Sequence, residues 1–303
     1  MVLEAGCGLR ETRRWSGAVR AVLHEGTRLP TRHDPSAAVL GIAALAVVLS
    51  TSPPVARAAD TAVTPHRALY QMQLAGTRTG SSVTGVNGRM VFEWADACEG
   101  WTIEQRFQLT FQYAEGNRVE MVTNYTTWET KDGRSYRFNV RRLMNGELDE
   151  EVRGDASVDA AGQGRVRYLR PEAREEALPA GAVFPTAHTL DLLRAARANE
   201  RFVAHVVFDG SDNEGPTDVS AAIGAGGRPR VTLQGPGGAL LAGTVYPVRM
   251  AFFPVGSGNP EPQYEMTLWL LENGVAEQIL IDYGDFRVQG TLRELEALPA
   301  PRC

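Results

Sequence analysis

The feature that most constrains the fold is the stretch from Trp101 to Tyr113, WTIEQRFQLTFQY, in which apolar and polar side chains alternate. Six of its seven odd-numbered residues are apolar or aromatic, and none of its six even-numbered residues is. This period of two is typical of a β-strand with one face in a core and the other in water. At about 3.3 Å per residue such a strand is roughly 43 Å long, and a strand of that length twists. We therefore expect it to form the spine of a strongly curved antiparallel sheet.

Shorter alternating segments lie on both sides of this spine and are separated by turn signals such as Asp132-Gly133 and Asn145-Gly146. The exception is the segment from Thr186 to Asn199, which is rich in Leu and Ala, contains no Gly or Pro, and predicts a helix of about four turns. Its apolar residues cover a wide arc, so we expect it to pack against the concave side of the sheet. The predicted fold is mainly β: a long curved antiparallel sheet of about a dozen or more strands wrapped around a central helix.

One predicted strand departs from simple alternation. Met121 and Tyr125 share a face, whereas Trp128 falls on the opposite one. A β-bulge between Thr123 and Thr127 would bring all three side chains to the same face, and we predict one there.

The N-terminal part of the chain has the pattern of an export signal. Residues 36–50 contain the uncharged run AAVLGIAALAVVL, which is shorter than the roughly 20 residues that span a bilayer. Arginines precede it, and the small-x-small sequence Ala56-Arg57-Ala58 follows it. We predict a leader with a signal peptide over residues 1–58, with a mis-assigned start codon explaining its length. Residues 59–303 then form a single periplasmic domain without a transmembrane span.

The charge of this domain excludes some classes of partner. Removing the leader's 7 basic and 4 acidic residues from the chain's 31 and 36 leaves 24 and 32, a net charge of −8. An acidic domain without a basic stripe argues against nucleic acids and anionic membrane surfaces as ligands.

The domain retains two cysteines, Cys98 and Cys303, because Cys7 belongs to the leader. Two cysteines in an oxidising compartment allow one pairing, and we predict that disulfide. The alternative is a pair of unrelated free thiols.

The sequence contains no recognisable arrangement of catalytic or metal-binding residues. His66, His188 and His205 lack metal-ligand spacing, and neither a nucleophile elbow nor a phosphate-binding loop is present. The carboxylates of DGSDNEG, residues 209–215, lack the spacing of a calcium loop and are better interpreted as a solvated turn. The acidic residues 147–151 are better interpreted as a charged strand end than as a glycosidase pair. We predict no catalytic, cofactor-binding or metal-binding residues.

Three short motifs and one cysteine point to a known family. HRALY at residues 66–70 follows the signal peptide, CEGW at 98–101 opens the spine strand, FDGSD lies at 208–212, and Cys303 ends the chain. In their order and spacing these resemble the EipB family of periplasmic cell-envelope integrity proteins. The resemblance covers residues 66–303 and implies a β-spiral around a central helix, with its disulfide at Cys98 and Cys303. It also implies a role in envelope integrity, a tetratricopeptide-repeat partner in the periplasm, and no catalytic residues.

Two functional hypotheses follow, with a weaker third. The leading one is a non-enzymatic periplasmic protein that maintains envelope integrity through contacts with other proteins. The alternative is a carrier for a lipid or another apolar ligand, in which Trp101, Phe107, Phe111 and Tyr113 either line a groove or pack in the core. An enzyme that acts on cell-wall polymer would rest only on scattered carboxylates.

Overall fold

The computed structural model of the 303-residue chain describes residues 63–256, 258, 260–299 and 301–303. The predicted signal peptide, its cleavage site and the start-codon hypothesis fall on residues outside this part. The described residues form fourteen strands, one α-helix and one 3-10 helix. In chain order the first eight strands are His66–Thr77 (β1), Val83–Asp96 (β2), Gly100–Tyr113 (β3), Arg118–Thr130 (β4), Ser135–Met144 (β5), Glu147–Val158 (β6), Gly164–Arg170 (β7) and Arg174–Leu178 (β8). The helix Pro185–Arg197 (α1) follows, and then Phe202–Val207 (β9), Thr217–Ile223 (β10), the 3-10 helix Pro236–Leu241, Val245–Pro254 (β11), Tyr264–Leu271 (β12), Ala276–Asp282 (β13) and Phe286–Ala297 (β14).

All fourteen strands belong to one curved antiparallel sheet that is not closed into a barrel. Strands β1 to β8 form one meander and β9 to β14 form another, each strand pairing with its neighbour in sequence. The two meanders meet where β1 pairs with β14, and we call this junction the seam. The outermost strands of the sheet are β8 and β9. The predicted fold class is confirmed.

The predicted spine is confirmed as β3, one of the two longest strands among the described residues. It pairs with β2 and β4 along its whole length. Ile103, Phe107 and Phe111 are buried on its inner face, whereas Glu104 and Gln108 on the outer face are exposed.

The predicted bulge in β4 is wrong. Its pairings with β3 and β5 run without a register shift, and its inner face alternates regularly through Met121, Thr123, Tyr125, Thr127 and Glu129. Three of these inward-facing side chains are polar, so the sequence does not show the apolar alternation that marks a core-facing strand. Trp128 therefore belongs to the outer face of an unbroken strand.

Helix α1 packs against the sheet, as predicted, and residues of both meanders contact it. Its buried face, which includes Leu192 and Leu193, packs in one cluster with Trp94 of β2 from the first meander and with Val248 and Leu270 from the second. A 13-residue helix gains most of its stability from such packing rather than from its own propensity. No helix in the part of the chain that the structure describes combines the length and apolar character needed to cross a membrane.

A second cluster fills the region between β4–β8 and the segment that enters the helix. Phe184, directly before α1, is fully buried and stacks on Tyr136 with ring centroids 4.9 Å apart. The preceding Val183 forms a parallel bridge with Val207 at the end of β9. The chain thus crosses from the last strand of the first meander to the beginning of the second through a buried aromatic anchor.

Candidate functional site

The structure places Cys98 and Cys303 together and joins their sulfurs. Cys98 lies in the turn between β2 and β3, and the Cα atoms of the two residues are 5.9 Å apart, a separation typical of disulfides. Leu298, just after β14, donates its backbone N–H to the carbonyl of Pro65, so the C-terminal tail crosses the seam before it reaches Cys98. For the secreted protein the disulfide remains our prediction.

The HRALY motif begins β1 inside the protein. His66 is fully buried, and its Nδ1 lies 2.7 Å from the carbonyl oxygen of Thr64. Because a carbonyl oxygen only accepts, Nδ1 carries the proton. Burial lowers the pKa of the His66 imidazole, so the ring is neutral at pH 7. The motif thus contributes a structural histidine at the start of the sheet.

The FDGSD motif anchors the end of the edge strand β9. Phe208 is fully buried, and the hydroxyls of Tyr125 and Tyr136 lie 2.5 Å and 2.6 Å from the carbonyl oxygen of Asp209. Gly210 has φ +62°, and a Cβ built on it would lie 2.5 Å from the ring of Phe138.

The solvated-turn interpretation of DGSDNEG is therefore only partly right. Asn213 and Glu214 are exposed, whereas Gly210 and Ser211 are buried because the turn packs on β4 and β5. In the described residues no group of three or more His, Cys, Asp or Glu side chains is arranged to hold a metal ion.

A buried carboxylate lies at the N-terminus of α1. Glu129 of β4 is 1% exposed and accepts hydrogen bonds from the backbone N–H groups of Thr186 and Ala187, at 2.7 Å and 2.8 Å. These N–H groups have no partner within the helix, so the carboxylate caps it from a neighbouring strand. Burial raises the pKa of Glu129 to about 7, although the two hydrogen bonds oppose the shift.

Two histidines that are 17 residues apart in sequence meet beside the first turn of the helix. Nδ1 of His188 on α1 lies 3.1 Å from Nδ1 of His205 on β9, and Nε2 of His205 lies 3.7 Å from the Asp191 carboxylate. Burial and the neighbouring His205 lower the pKa of His188 to about 4. The sequence did not reveal this pair, because neither spacing nor motif connects a helix residue with a strand residue.

In the described residues this polar cluster lacks the hydrogen-bonded nucleophile that covalent catalysis needs. Among the described residues, no serine, threonine or cysteine side chain forms a hydrogen bond with either histidine. A base without a nucleophile in reach does not perform the covalent catalysis that such clusters support elsewhere. We interpret the contacts of His188, His205 and Asp191 as structural contacts that hold α1 against β9.

An apolar cavity of about 190 Å³ lies beneath the seam. Its walls come from β1, β2 and β3 on one side, from β12 and β13 on the other, and from Thr189 of α1. The lining residues are Tyr70, Met72, Met90, Phe92, Trp94, Gln105, Thr189, Met266, Leu268, Leu270, Gly274, Ala276, Ile279 and Ile281.

The four aromatic residues that the sequence offered for such a cavity do not line it. Phe107 and Phe111 are buried core residues, Trp101 packs at the edge of the helix cluster, and Tyr113 is half-buried at the end of β3. Core packing is thus the correct interpretation of Phe107 and Phe111. The cavity is built instead from residues of strands that are distant in sequence.

An open groove of about 720 Å³ runs over the outer face of β3–β7. Trp128, Arg137, Arg153, Arg167 and Leu169 are among its lining residues. The Arg137 guanidinium lies 5.0 Å above the centre of a Trp128 ring, a cation–π geometry. We call this surface the outer groove.

Fold and sites together define a class of protein: an open antiparallel sheet curved around one helix, with an internal apolar cavity and an external polar groove. Comparison with known proteins identifies the family to which the chain belongs. The sequence model of the EipB-like family matches residues 57–299, and the chain belongs to this family.

A curated protein and a solved structure, both from Brucella abortus, are similar to most of the chain. The cell envelope integrity protein EipB of strain 2308 is 31% identical over 236 residues, which cover 77% of this chain and 83% of EipB. A crystal structure of a β-barrel-like protein of the domain of unknown function DUF1849 superposes with a TM-score of 0.73 at 29% identity. That match covers 78% of this chain and 99% of the other. The family resemblance predicted from the three motifs is confirmed.

Proposed function

We propose that this protein is a non-enzymatic periplasmic protein that maintains cell-envelope integrity through contacts with other envelope proteins. The envelope role is supported by its relative, which is named a cell envelope integrity protein and is 31% identical. Export to the periplasm is supported by the leader pattern and by the adjacent Cys98 and Cys303.

The observation that carries the protein-contact mechanism is the outer groove. Tryptophan and arginine are both enriched where interfaces gain their affinity, and the groove presents a half-buried Trp128 beneath the Arg137 guanidinium. Leu169, also in the groove, is 43% exposed. An apolar and aromatic centre surrounded by arginines is suited to another protein.

The charges of the groove define the chemistry of that partner. Arg167 is paired with Asp155 at 2.7 Å, whereas Arg153 has no ion pair with any described residue. Arg153 instead pairs, at a register shift of the β6–β7 ladder, with Arg170, which directly follows the groove residue Leu169. Like charges placed opposite each other destabilise a sheet, and an incoming carboxylate would relieve that repulsion. The groove therefore suits an acidic segment of an envelope protein, and a tetratricopeptide-repeat partner is one candidate.

The test is complementation of a strain that lacks the gene. We expect the deletion to increase sensitivity to detergent and to cell-wall antibiotics, and the wild-type gene to restore resistance. The double variant Arg153→Glu/Arg170→Glu should reach the same abundance and fail to restore it. Arg78→Glu/Arg228→Glu, at two exposed positions outside the groove, makes the same change in net charge and should restore resistance fully.

Two results would count against this function. Unchanged sensitivity of the deletion strain would remove the envelope role itself. Full complementation by the groove variant would keep that role and reject the outer groove as the contact surface.

A further inference from the structure

The cavity beneath the seam has one polar group without a partner. Two of its polar side chains are satisfied, since Tyr70 donates its hydroxyl to the carbonyl of Ala276 at 2.7 Å and Thr189 donates to that of Pro185 at 2.9 Å. Gln105 is only half-buried and keeps access to water. Trp94 differs: its side chain lines the cavity, the residue is 3% exposed, and its Nε1–H has no acceptor among the described residues.

A buried indole N–H without an acceptor is unusual, because burying an unsatisfied donor costs free energy. Three rings lie next to Trp94: Trp101 edge-on at 6.0 Å, His66 tilted at 6.4 Å and Phe92 edge-on at 6.5 Å. Only His66 has a ring nitrogen that could accept, and neither its Nε2 nor Trp94 Nε1 has a hydrogen-bond partner among the described residues. A molecule bound in the cavity that carries an acceptor oxygen would satisfy this donor.

The other residues that line the cavity indicate the chemistry of the part of the ligand that does not bind Trp94. Methionines from three strands, Met72, Met90 and Met266, line the cavity together with leucine and isoleucine side chains. Methionine is flexible and polarisable, and it adapts to apolar ligands of different shape. A cavity of about 190 Å³ is somewhat larger than the ~150 Å³ apolar cavity that binds benzene in an engineered protein, so it accommodates about six to eight carbon atoms.

We propose that this cavity is a binding site for an apolar acyl group of about that size, whose carbonyl oxygen accepts a hydrogen bond from Trp94 Nε1–H. The acyl group can belong to an envelope lipid, with one chain end inserted, or to a small free molecule. The site lies inside the sheet and the outer groove lies outside it, so this inference does not depend on the protein-contact function.

The test uses two probes of matched size on the ¹⁵N-labelled secreted chain. Acetophenone carries a carbonyl, whereas ethylbenzene has a CH₂ group in its place. The indole N–H signals of Trp94, Trp101, Trp128 and Trp269 are followed by NMR, and Trp94 is assigned from Trp94→Phe. We expect acetophenone to bind about tenfold more tightly than ethylbenzene and to shift the Trp94 signal downfield, while ethylbenzene leaves its hydrogen bonding unchanged.

Substitutions distinguish the contribution of the cavity volume to binding from that of the Trp94 N–H donor. Trp94→Phe should reduce the affinity for acetophenone to that for ethylbenzene, and Ala276→Leu, which fills the cavity, should abolish binding of both probes. Trp128→Phe, in the outer groove, is the matched control and should change neither affinity. A short-chain lipid, dihexanoylphosphatidylcholine below its micelle concentration, distinguishes the two sources of the acyl group. If this lipid binds, the acyl group belongs to a lipid. If acetophenone binds and the lipid does not, the ligand is a small free molecule.

Two outcomes would overturn the proposal even if no variant folds. One is the absence of binding by either probe to the wild-type chain at millimolar concentration. The other is equal affinity for both probes with none of the indole N–H signals shifted downfield by acetophenone, which would leave Trp94 without the proposed role. Neither result bears on the complementation assay, which tests the outer groove.

Discussion

Glu129 and His188 lie near the same end of α1, and burial shifts their pKa values in opposite directions. Burial raises the pKa of Glu129 to about 7 and lowers that of His188 to about 4. Both shifts favour the neutral form, as expected where water is excluded. The free energy of unfolding therefore contains two pH-dependent contributions of opposite sign in the range from about pH 4 to 7.

For Glu129 the native state binds the proton more tightly than the unfolded state, so this contribution is largest below the unfolded pKa and is lost as the pH rises through about 7. The change is roughly 3 kcal/mol, since each pKa unit corresponds to about 1.4 kcal/mol. We expect Glu129→Gln to lose less stability than the wild type between pH 4.5 and 7.5, as measured by urea denaturation at several pH values. Glu120→Gln, exposed on the same strand, should follow the wild-type pH dependence. An identical pH dependence in Glu129→Gln and the wild type would contradict this assignment.

For His188 the sign is reversed. The native state binds the proton more weakly, so its contribution is present above the unfolded pKa near 6.5 and is lost as the pH falls through about 4. We expect His188→Gln to be less sensitive than the wild type to acidification from pH 6.5 to 4, again by urea denaturation. A His188→Gln protein that loses as much stability on acidification as the wild type would show that this histidine is protonated freely in the native state.

Among the elements, the edge strand β9 depends on the turn that follows it. Gly210 adopts a positive φ and lies so close to the Phe138 ring that a side chain at position 210 would displace the ring. We expect Gly210→Ala to lower the free energy of unfolding by about 2–4 kcal/mol, from the left-handed backbone and the clash together. Gly162→Ala is the control, since Gly162 has φ +78° but only one backbone atom, at 3.9 Å, near its missing Cβ. Thermal or urea denaturation measures both variants, and equal losses would mean that contact with Phe138 contributes nothing.

The sequence predicted those elements whose pattern is long and regular. The alternation from Trp101 to Tyr113 identified β3 almost to the residue, and the helix was predicted as 186–199 and observed as Pro185–Arg197. Strands β8 and β10 and the 3-10 helix were not predicted. The first is short and mostly charged, the second carries small residues such as Ala221, and the last lies in a glycine-rich stretch.

The candidate sites were less predictable, because each is assembled from residues far apart in sequence. The two histidines of the polar cluster come from a helix and a strand, and the cavity from both sides of the seam. The arginines of the outer groove are scattered along β5, β6 and β7, and only the register of the sheet brings Arg153 opposite Arg170. The net charge of the domain is negative and gave no indication of this local basic surface.

For the whole molecule, the seam is the place where stability depends on distant parts of the chain. The β1–β14 pairing holds the two meanders together, and the Cys98–Cys303 pair, separated by 205 residues, lies across it. A disulfide that closes so long a loop lowers the entropy of the unfolded chain. In the chain-entropy model this raises the free energy of unfolding by at most roughly 5 kcal/mol. We therefore predict that this disulfide ties the C-terminal tail, over the seam, to the start of the spine strand.

We expect Cys98→Ser and Cys303→Ser to lower the melting temperature by similar amounts, and the double variant to lose no more than either single one. Differential scanning calorimetry of the oxidised secreted chain measures these effects. Reduction of the wild type should produce the same loss and leave the double variant unchanged. Additive losses in the double variant would show that the two cysteines are not bonded to each other.

The most direct measurement of the proposed function is site-specific photo-crosslinking in living cells, with a benzophenone amino acid at Leu169 in the outer groove. The control position is Glu294, exposed on β14 in the other meander. If the groove is the contact surface, Leu169 gives a discrete crosslink to an envelope protein, Glu294 does not, and Arg153→Glu/Arg170→Glu removes the crosslink. Equal crosslinking at both positions, or a Leu169 crosslink that survives the double substitution, would contradict the proposal that this protein acts through its outer groove.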